Sequence, residues 1–166
     1  MSLHDILNSS RVFVDANIII YMLGRKSIQC RSFLTRCDAG AIEGWISTSI
    51  VGEVAHRRMM HEAQSRQLIG SNPARALARR REFVRQLTAY ADEARNLLGG
   101  GLVVETIRPD DFFVALELQK QHGLLTNDAI NLAVARRLGI NEIVTAAANF
   151  DHIQGLIVHK PDDLVI

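Results

Sequence analysis

Arg11-Val12-Phe13-Val14-Asp15-Ala16-Asn17-Ile18-Ile19-Ile20-Tyr21 is an apolar run interrupted once by a carboxylate. Val12, Phe13 and Val14 are β-formers at the length of a buried strand, and Asp15 falls where that strand should end. Parallel strands in α/β proteins point their C-terminal ends at the ligand crevice, so an acid there is aimed where chemistry is usually done. Asn17, two residues on, is expected to cap the helix that Ile18 to Leu23 begins. A lone aspartate at a strand end is more often a cap or turn residue than a functional group. Asp15 gains a second meaning only from the company it keeps further along the chain.

With 166 residues and 48% hydrophobic content, the chain can bury one substantial core and is short for two ordinary domains, so a single domain over 1–166 is expected. The formal net charge of +1 conceals an uneven distribution. Arg57, Arg58, Arg66, Arg75, Arg79, Arg80, Arg81 and Arg85 crowd the middle with only Glu62 and Glu82 among them. Asp92, Glu93, Glu105, Asp110, Asp111 and Glu117 lean the other way. That polarity fits an anionic partner, although for any single arginine a solvated helix face is the commoner role. Cys30 and Cys37 match neither a zinc knuckle nor a redox pair and are expected as reduced thiols. No early stretch pairs a charged segment with a long apolar one, and no apolar run is long enough to span a bilayer. A cytoplasmic protein without a membrane segment is expected.

Short β-rich runs alternate with longer helical patterns. Ser27 to Asp38 has helical spacing and stops near Gly40, and Gly44 to Thr48 reads as a second strand. Ser49 is expected to start a helix with Ile50, Val54 and Arg57 on one face and Glu53 one turn in. Ser71-Asn72-Pro73 breaks the pattern, and from Ala74 a helical period runs to the triple glycine at 99–101, read as a flexible turn. Leu102 to Thr106 is a third strand, and Pro109 opens a helix that stops at Gly123. Thr126 or Asn127 is expected to cap the next helix, with Asp128 in its first turn and Ile130, Val134 and Leu138 as its buried stripe. By itself Asp128 is as well explained by complementing the helix dipole, worth about 0.3–1 kcal/mol. Glu142 to Thr145 and Leu156 to Val158 are the last strands. The β-rich runs are separated by helical segments too long for hairpins, so the predicted fold is a three-layer α/β domain with a mainly parallel central sheet.

Val-Asp-Ala-Asn at 14–17, Ser-Ile-Val-Gly-Glu-Val at 49–54, Leu-Thr-Asn-Asp-Ala-Ile at 125–130 and the Ile-Val-Thr…Asn-Phe-Asp-His-Ile-Gln-Gly-Leu ending together resemble a PIN domain. Each motif alone is weak, but four in order at the right separations are fairly specific, and they span nearly the whole chain. Within that family the chain is most similar to the toxin half of VapBC toxin–antitoxin pairs, small cytoplasmic ribonucleases that use Mg²⁺ or Mn²⁺. The resemblance implies Asp15, Glu53 and Asp128 as the acidic metal cluster, with Asn17, Thr145 and Asn149 lining the pocket. Family members often carry a fourth acid where this chain has Ala147 or Asn149. Asp151 is the candidate replacement as a metal ligand, provided its loop turns it inward. The resemblance also implies an RNA substrate, a homodimer, and an antitoxin protein laid over the acidic cleft. The amphipathic helical material between Ser49 and Leu98 is more apolar than one small sheet needs to cover, which fits such partners.

The chemistry accounts for the residue types. A hard divalent cation takes oxygen ligands and keeps several waters, so a few carboxylates suffice to hold it beside a phosphate. Packed close without an ion, the same carboxylates repel and raise one another's pKa. Glu53 is then suited to orient an attacking water, with Asp15 and Asp128 as direct or water-mediated ligands. His61-Glu62 lacks the second histidine of a zinc-protease helix, and no serine or cysteine stands in a motif with a histidine. The alternative reading is a degenerate PIN-like domain that binds RNA or a protein partner without cutting. A phosphatase built on a strand-end aspartate is disfavoured because Asn17 occupies the place of its second acid.

Overall fold

The computed structural model describes residues 1–69 and 73–164. Five strands, β1 (Arg11–Val14), β2 (Glu43–Ser47), β3 (Val103–Glu105), β4 (Glu142–Val144) and β5 (Ile157–His159), form one sheet in the order β3-β2-β1-β4-β5. Every neighbouring pair is parallel, with Phe13 opposite both Trp45 and Ile143. The chain builds outward from β1 to β2 and β3, then crosses to β4 and β5 on the other side. Its topological switch point lies between β1 and β4, the position at which such sheets open a crevice at their C-terminal ends.

Among the described residues the sheet is accompanied by eight helices, of which α4 and α5 pack on α3 instead of on the sheet: α1 (Ala16–Leu23), α2 (Ile28–Asp38), α3 (Thr48–Ser65), α4 (Pro73–Ala78), α5 (Arg81–Val84), α6 (Ala89–Gly99), α7 (Pro109–His122) and α8 (Thr126–Arg137). α1, α2, α3 and α6 pack as one group and α7 with α8 as the other, giving the expected three layers. Val12, Phe13 and Val14 are all buried because β1 is covered on both faces. Phe13 meets Leu132 of α8, Ile143 and Phe150 on one side. On the other, Gly44 leaves room for Leu102 and for Cys37 of α2, since a Cβ there would stand 2.5 Å from a Leu102 methyl and 3.0 Å from the Cys37 sulfur. Cys30 and Cys37 are buried free thiols, and burial pushes Cys37 up to about 12. No helix among the described residues is long and apolar enough to cross a membrane.

Several local expectations are corrected. The helix expected without a break from Ala74 to the triple glycine is three pieces, interrupted around Arg80 (φ −128°, ψ 73°) and Thr88 (φ −131°, ψ −33°). Tertiary contacts override the period: Ala63, Leu77 and Leu87 form a second small core with Met59, Met60, Phe83 and Tyr90. The Glu62 carboxylate accepts the backbone N–H groups of Thr88 (3.0 Å) and Tyr90 (3.2 Å), satisfying the start of α6 from another helix. Much of the apolar surface between Ser49 and Leu98 is therefore covered by the chain itself. Pro73 does open α4, whereas Ser71 and Asn72 lie outside the described residues.

Ser47, not Ser49, caps α3, and its hydroxyl accepts from Ile50 N at 3.4 Å. Leu125 occupies the N-cap position of α8 in place of Thr126 or Asn127. α8 is buried from Ala129 through Val134 and Ala135, not along one stripe, because it lies between the sheet and α7. The turn at Gly99–Gly101 is clasped: Gly101 N donates to Asp38 Oδ1 at 2.9 Å, and a Cβ on Gly101 would stand 2.7 Å from Asp38 N.

Candidate functional site

Asp15 follows β1 directly and continues its ladder by donating N–H to Val144 O at 2.9 Å. It occupies the N-cap position of α1, yet its side chain makes no capping bond. Its Oδ2 instead accepts from the Thr145 hydroxyl at 2.6 Å and from Asn17 Nδ2 at 2.5 Å. Asn17 therefore does not cap the helix as expected. It lies inside the first turn, and its Oδ1 accepts Ala146 N at 3.0 Å, tying the exit of β4 to that of β1. Thr145 is fully buried and also accepts Ala147 N at 3.1 Å. Two polar side chains, Thr145 and Asn17, thus fix one carboxylate at the switch point.

Glu53 arrives from α3 and Asp128 from the first turn of α8, and both line the same cleft of about 510 Å³ as Asp15. Asn149 donates to Asp128 Oδ2 at 2.8 Å, so this side chain, where many family members have an acid, serves as a donor. Two features escaped the sequence reading. Arg57, assigned there to an apolar stripe, is exposed, lines the cleft and pairs with Glu53 at 3.6 Å; its i, i+4 spacing from Glu53 was the available signal. Asn131, one turn after Asp128, accepts from the hydroxyls of Ser47 (2.7 Å) and Ser49 (3.0 Å). That buried contact fixes the start of α3 against α8, and with it the relative positions of Glu53 and Asp128. Asp151 is not among the residues lining the cleft; its carboxylate is exposed and pairs with Lys160.

Burial, and for Glu53 and Asp128 neighbouring like charges as well, disfavours the ionised acids. Burial pushes the Asp15 carboxyl above its ordinary range, against the hydrogen bonds from Thr145 and Asn17. Glu53 is raised by burial and by the charges of Asp15 and Asp128, with Arg57 opposing. Asp128 is raised by burial and by Asp15, with Asn149 opposing. The donors in the cleft are oxygens of Asp, Glu, Asn and Thr, the set a hard cation prefers. Among the described residues, no group of three or more His, Cys, Asp or Glu side chains stands close enough to hold an ion unaided. Mg²⁺ needs only one or two carboxylates and keeps several waters, so the pair Asp15 and Asp128, with Glu53 nearby, fits such an ion.

These shifts give a signed expectation. A carboxyl whose folded pKa is raised costs stability at pH above that value and regains it as pH falls toward the unfolded value. In chelator at pH 7.5, Asp128→Asn should raise the melting temperature by about 2–4 °C for each kcal/mol of relieved burial cost and repulsion. The gain should shrink toward zero near pH 4, where the unfolded carboxyl is itself protonated. Thermal scans of both proteins across that range test it; a variant less stable than wild type at pH 7.5 would show that the carboxylate is held favourably without an ion.

The PIN domain family model matches residues 12–156. No curated protein matches the chain. Among solved structures, VapBC2 from Rickettsia felis, bound to a DNA fragment from its promoter, aligns with a TM-score of 0.59 and 16% identity, covering 92% of this chain and 99% of that one. A toxin–antitoxin complex from Klebsiella pneumoniae aligns at 0.57 and 19% identity, over 88% and 95% of the two chains. Mycobacterium tuberculosis VapC20, a toxin that cleaves the sarcin-ricin loop, aligns at 0.57 and 17% identity, over 86% and 95%. At these identities the likeness to solved structures is one of fold, and it agrees with the family match that spans most of the sequence: the chain belongs to the PIN domain family.

Proposed function

We propose that the chain is a metal-dependent endoribonuclease and the toxin of a toxin–antitoxin pair. The observation that carries this reading is the meeting of Asp15, Glu53 and Asp128 in one cleft at the switch point of a PIN-family sheet. Asp15 and Asp128 would hold Mg²⁺ or Mn²⁺, directly or through water, with Glu53 completing the acidic set. The chemistry such an ion supplies is charge neutralisation at the scissile phosphate and activation of water. Thr145 and Asn17 orient the Asp15 carboxylate, and Asn149 orients that of Asp128. Glu53, whose carboxyl burial and the neighbouring acids push above its ordinary range, is suited to accept a proton from the attacking water. The Arg57 guanidinium beside it is suited to the phosphate oxygens.

Cleavage of a mixed-sequence RNA in Mn²⁺ tests these roles. Asp128→Asn should lower the rate by on the order of 10²-fold or more. Asp151→Asn should stay within about twofold of wild type, because an exposed carboxylate paired with Lys160 has no place in the mechanism. Equal losses in the two variants would refute this assignment of the acids. The second reading, a PIN-like domain that binds RNA or a protein without cutting, draws on the lack of a ready-made three-acid ion site among the described residues. It predicts RNA binding with no fragments in any divalent ion.

Partners belong to the same proposal. An antitoxin segment would cover the cleft, and an apolar groove of about 580 Å³ bordered by Ile19, Met22, Leu23, Leu34 and Leu97 offers it a second contact. Phe112, Phe113 and Leu116 are exposed on α7, a patch suited to a second copy of the chain. A monomeric mass by light scattering at high concentration would remove the homodimer from this proposal.

A further inference from the structure

We infer that the α4–α5 arm is a preformed platform for the sugar-phosphate backbone of RNA, extending the substrate path beyond the acidic cleft; this rests on the ribonuclease reading of that cleft. Arg75, Arg79, Arg80, Arg81 and Arg85 are all exposed on this arm, and Glu82 is the one acid among them. Several exposed arginines elsewhere are matched, Arg11 with Glu43, Arg66 with Glu62, Arg95 with Asp92 and Arg108 with Glu105, while Arg25, Arg31 and Arg136 are exposed without an ion pair among the described residues but stand singly on separate segments. None of the five arm arginines has an ion pair among the described residues. Five unmatched like charges on so short a stretch repel one another, a cost that a polyanion removes. All five are arginine, the side chain whose planar fork matches phosphate oxygens in pairs.

The platform is anchored by contacts unconnected with these charges. Leu77 and Leu87 anchor it to Ala63, Met59 and Met60 of α3, and Arg66 donates to Gln86 O at 2.6 Å. Its exposed arginines are thus free of structural duty, apart from Arg80, whose guanidinium lies 5.2 Å from the centre of the Phe83 ring. The platform and the cleft share one helix, α3. Arg57 lines the cleft, and Ala63, where the arm is anchored, follows it on the same helix after about 9 Å of rise. An RNA strand that leaves the cleft past Arg57 and follows α3 would reach the arm within a few nucleotides. RNA is favoured over an acidic protein because the charge is all arginine and continues a cleft fitted to a phosphate.

Fluorescence anisotropy in excess chelator, with a labelled unstructured 20-nucleotide RNA and a tetranucleotide, tests the platform on the full chain. The triple variant Arg79→Gln, Arg81→Gln, Arg85→Gln should bind the 20-mer roughly tenfold more weakly, and the slope of log affinity against log salt should fall by about 2, near 0.7 per lost phosphate contact. Arg95→Gln is the control and should bind as wild type. An unchanged melting temperature for the triple variant excludes misfolding; if it drops, Arg85→Gln alone should still reduce the slope by about 0.7. An unaltered salt slope in folded variants overturns the inference, as does a 20-mer that binds no tighter than the tetranucleotide. Equal affinity for a polyglutamate peptide of the same charge overturns it in favour of an acidic protein partner. A wild-type protein that binds the 20-mer through these arginines but never cuts it would sink the ribonuclease reading and leave the platform standing. Cleavage with no effect of the arm would do the reverse.

Discussion

Asp15→Asn should lower RNA cleavage by on the order of 10²–10³-fold, with a melting temperature no lower than that of wild type. Asparagine keeps the shape of the side chain and an oxygen to accept from Thr145 and Asn17, which approach the same Oδ2 at 2.6 and 2.5 Å. What it removes is a charge that burial makes expensive in the folded protein. The combination of lost activity and retained stability separates a functional carboxylate from a fold determinant. A variant that melts well below wild type and is inactive for that reason would return Asp15 to the role of a structural residue at the head of α1.

The second large effect concerns stability. Arg137, at the end of α8, donates to Asp111 Oδ1 at 2.8 Å, Asp111 Oδ2 at 3.0 Å, Glu105 at 2.8 Å and Thr106 O at 3.0 Å. Asp111 is only 3% exposed. Burial works to raise its carboxyl, and the Arg137 fork with the Arg108 N–H more than reverses this, holding it below the ordinary range. Arg137→Ala leaves that carboxylate buried without its partner and should cost about 3 kcal/mol, read from chemical denaturation. The sign with pH follows: a depressed pKa gives stability that is present above the unfolded value and lost as pH falls through the folded one. The wild-type advantage over Arg137→Ala should therefore shrink in acid. Arg137→Ala together with Asp111→Leu should recover part of the loss, because the orphaned charge goes with it.

The strands were legible because β-branched and aromatic residues cluster in runs too short for helices, and Pro109 and Gly123 mark the ends of α7 by backbone chemistry alone. The order β3-β2-β1-β4-β5 could not be read from any one run, since it depends on which strands each helix carries the chain between. The region after Ala74 was misread for a definite reason. Leu77, Phe83 and Leu87 keep a near-helical period, but the break at Thr88 is enforced by Glu62, a residue on another helix. At the site, Asp15 and Asp128 stand at element ends where local sequence rules already point. Glu53 drew attention through the family resemblance, and Arg57 was overlooked because it follows an apolar pair at helical spacing. The pairing of Asp151 with Lys160 depends on how the last loop folds back, which no local pattern encodes.

The most direct test of the carboxylate mechanism is a cleavage assay on purified protein. An unstructured RNA would be incubated with Mg²⁺ or Mn²⁺ and with excess chelator, and internal fragments resolved on a denaturing gel. Fragments with either ion, none in chelator, and recovery when the ion is restored are the expected results. Cleavage that continues undiminished in excess chelator would contradict the assignment of Asp15, Glu53 and Asp128 to a divalent ion.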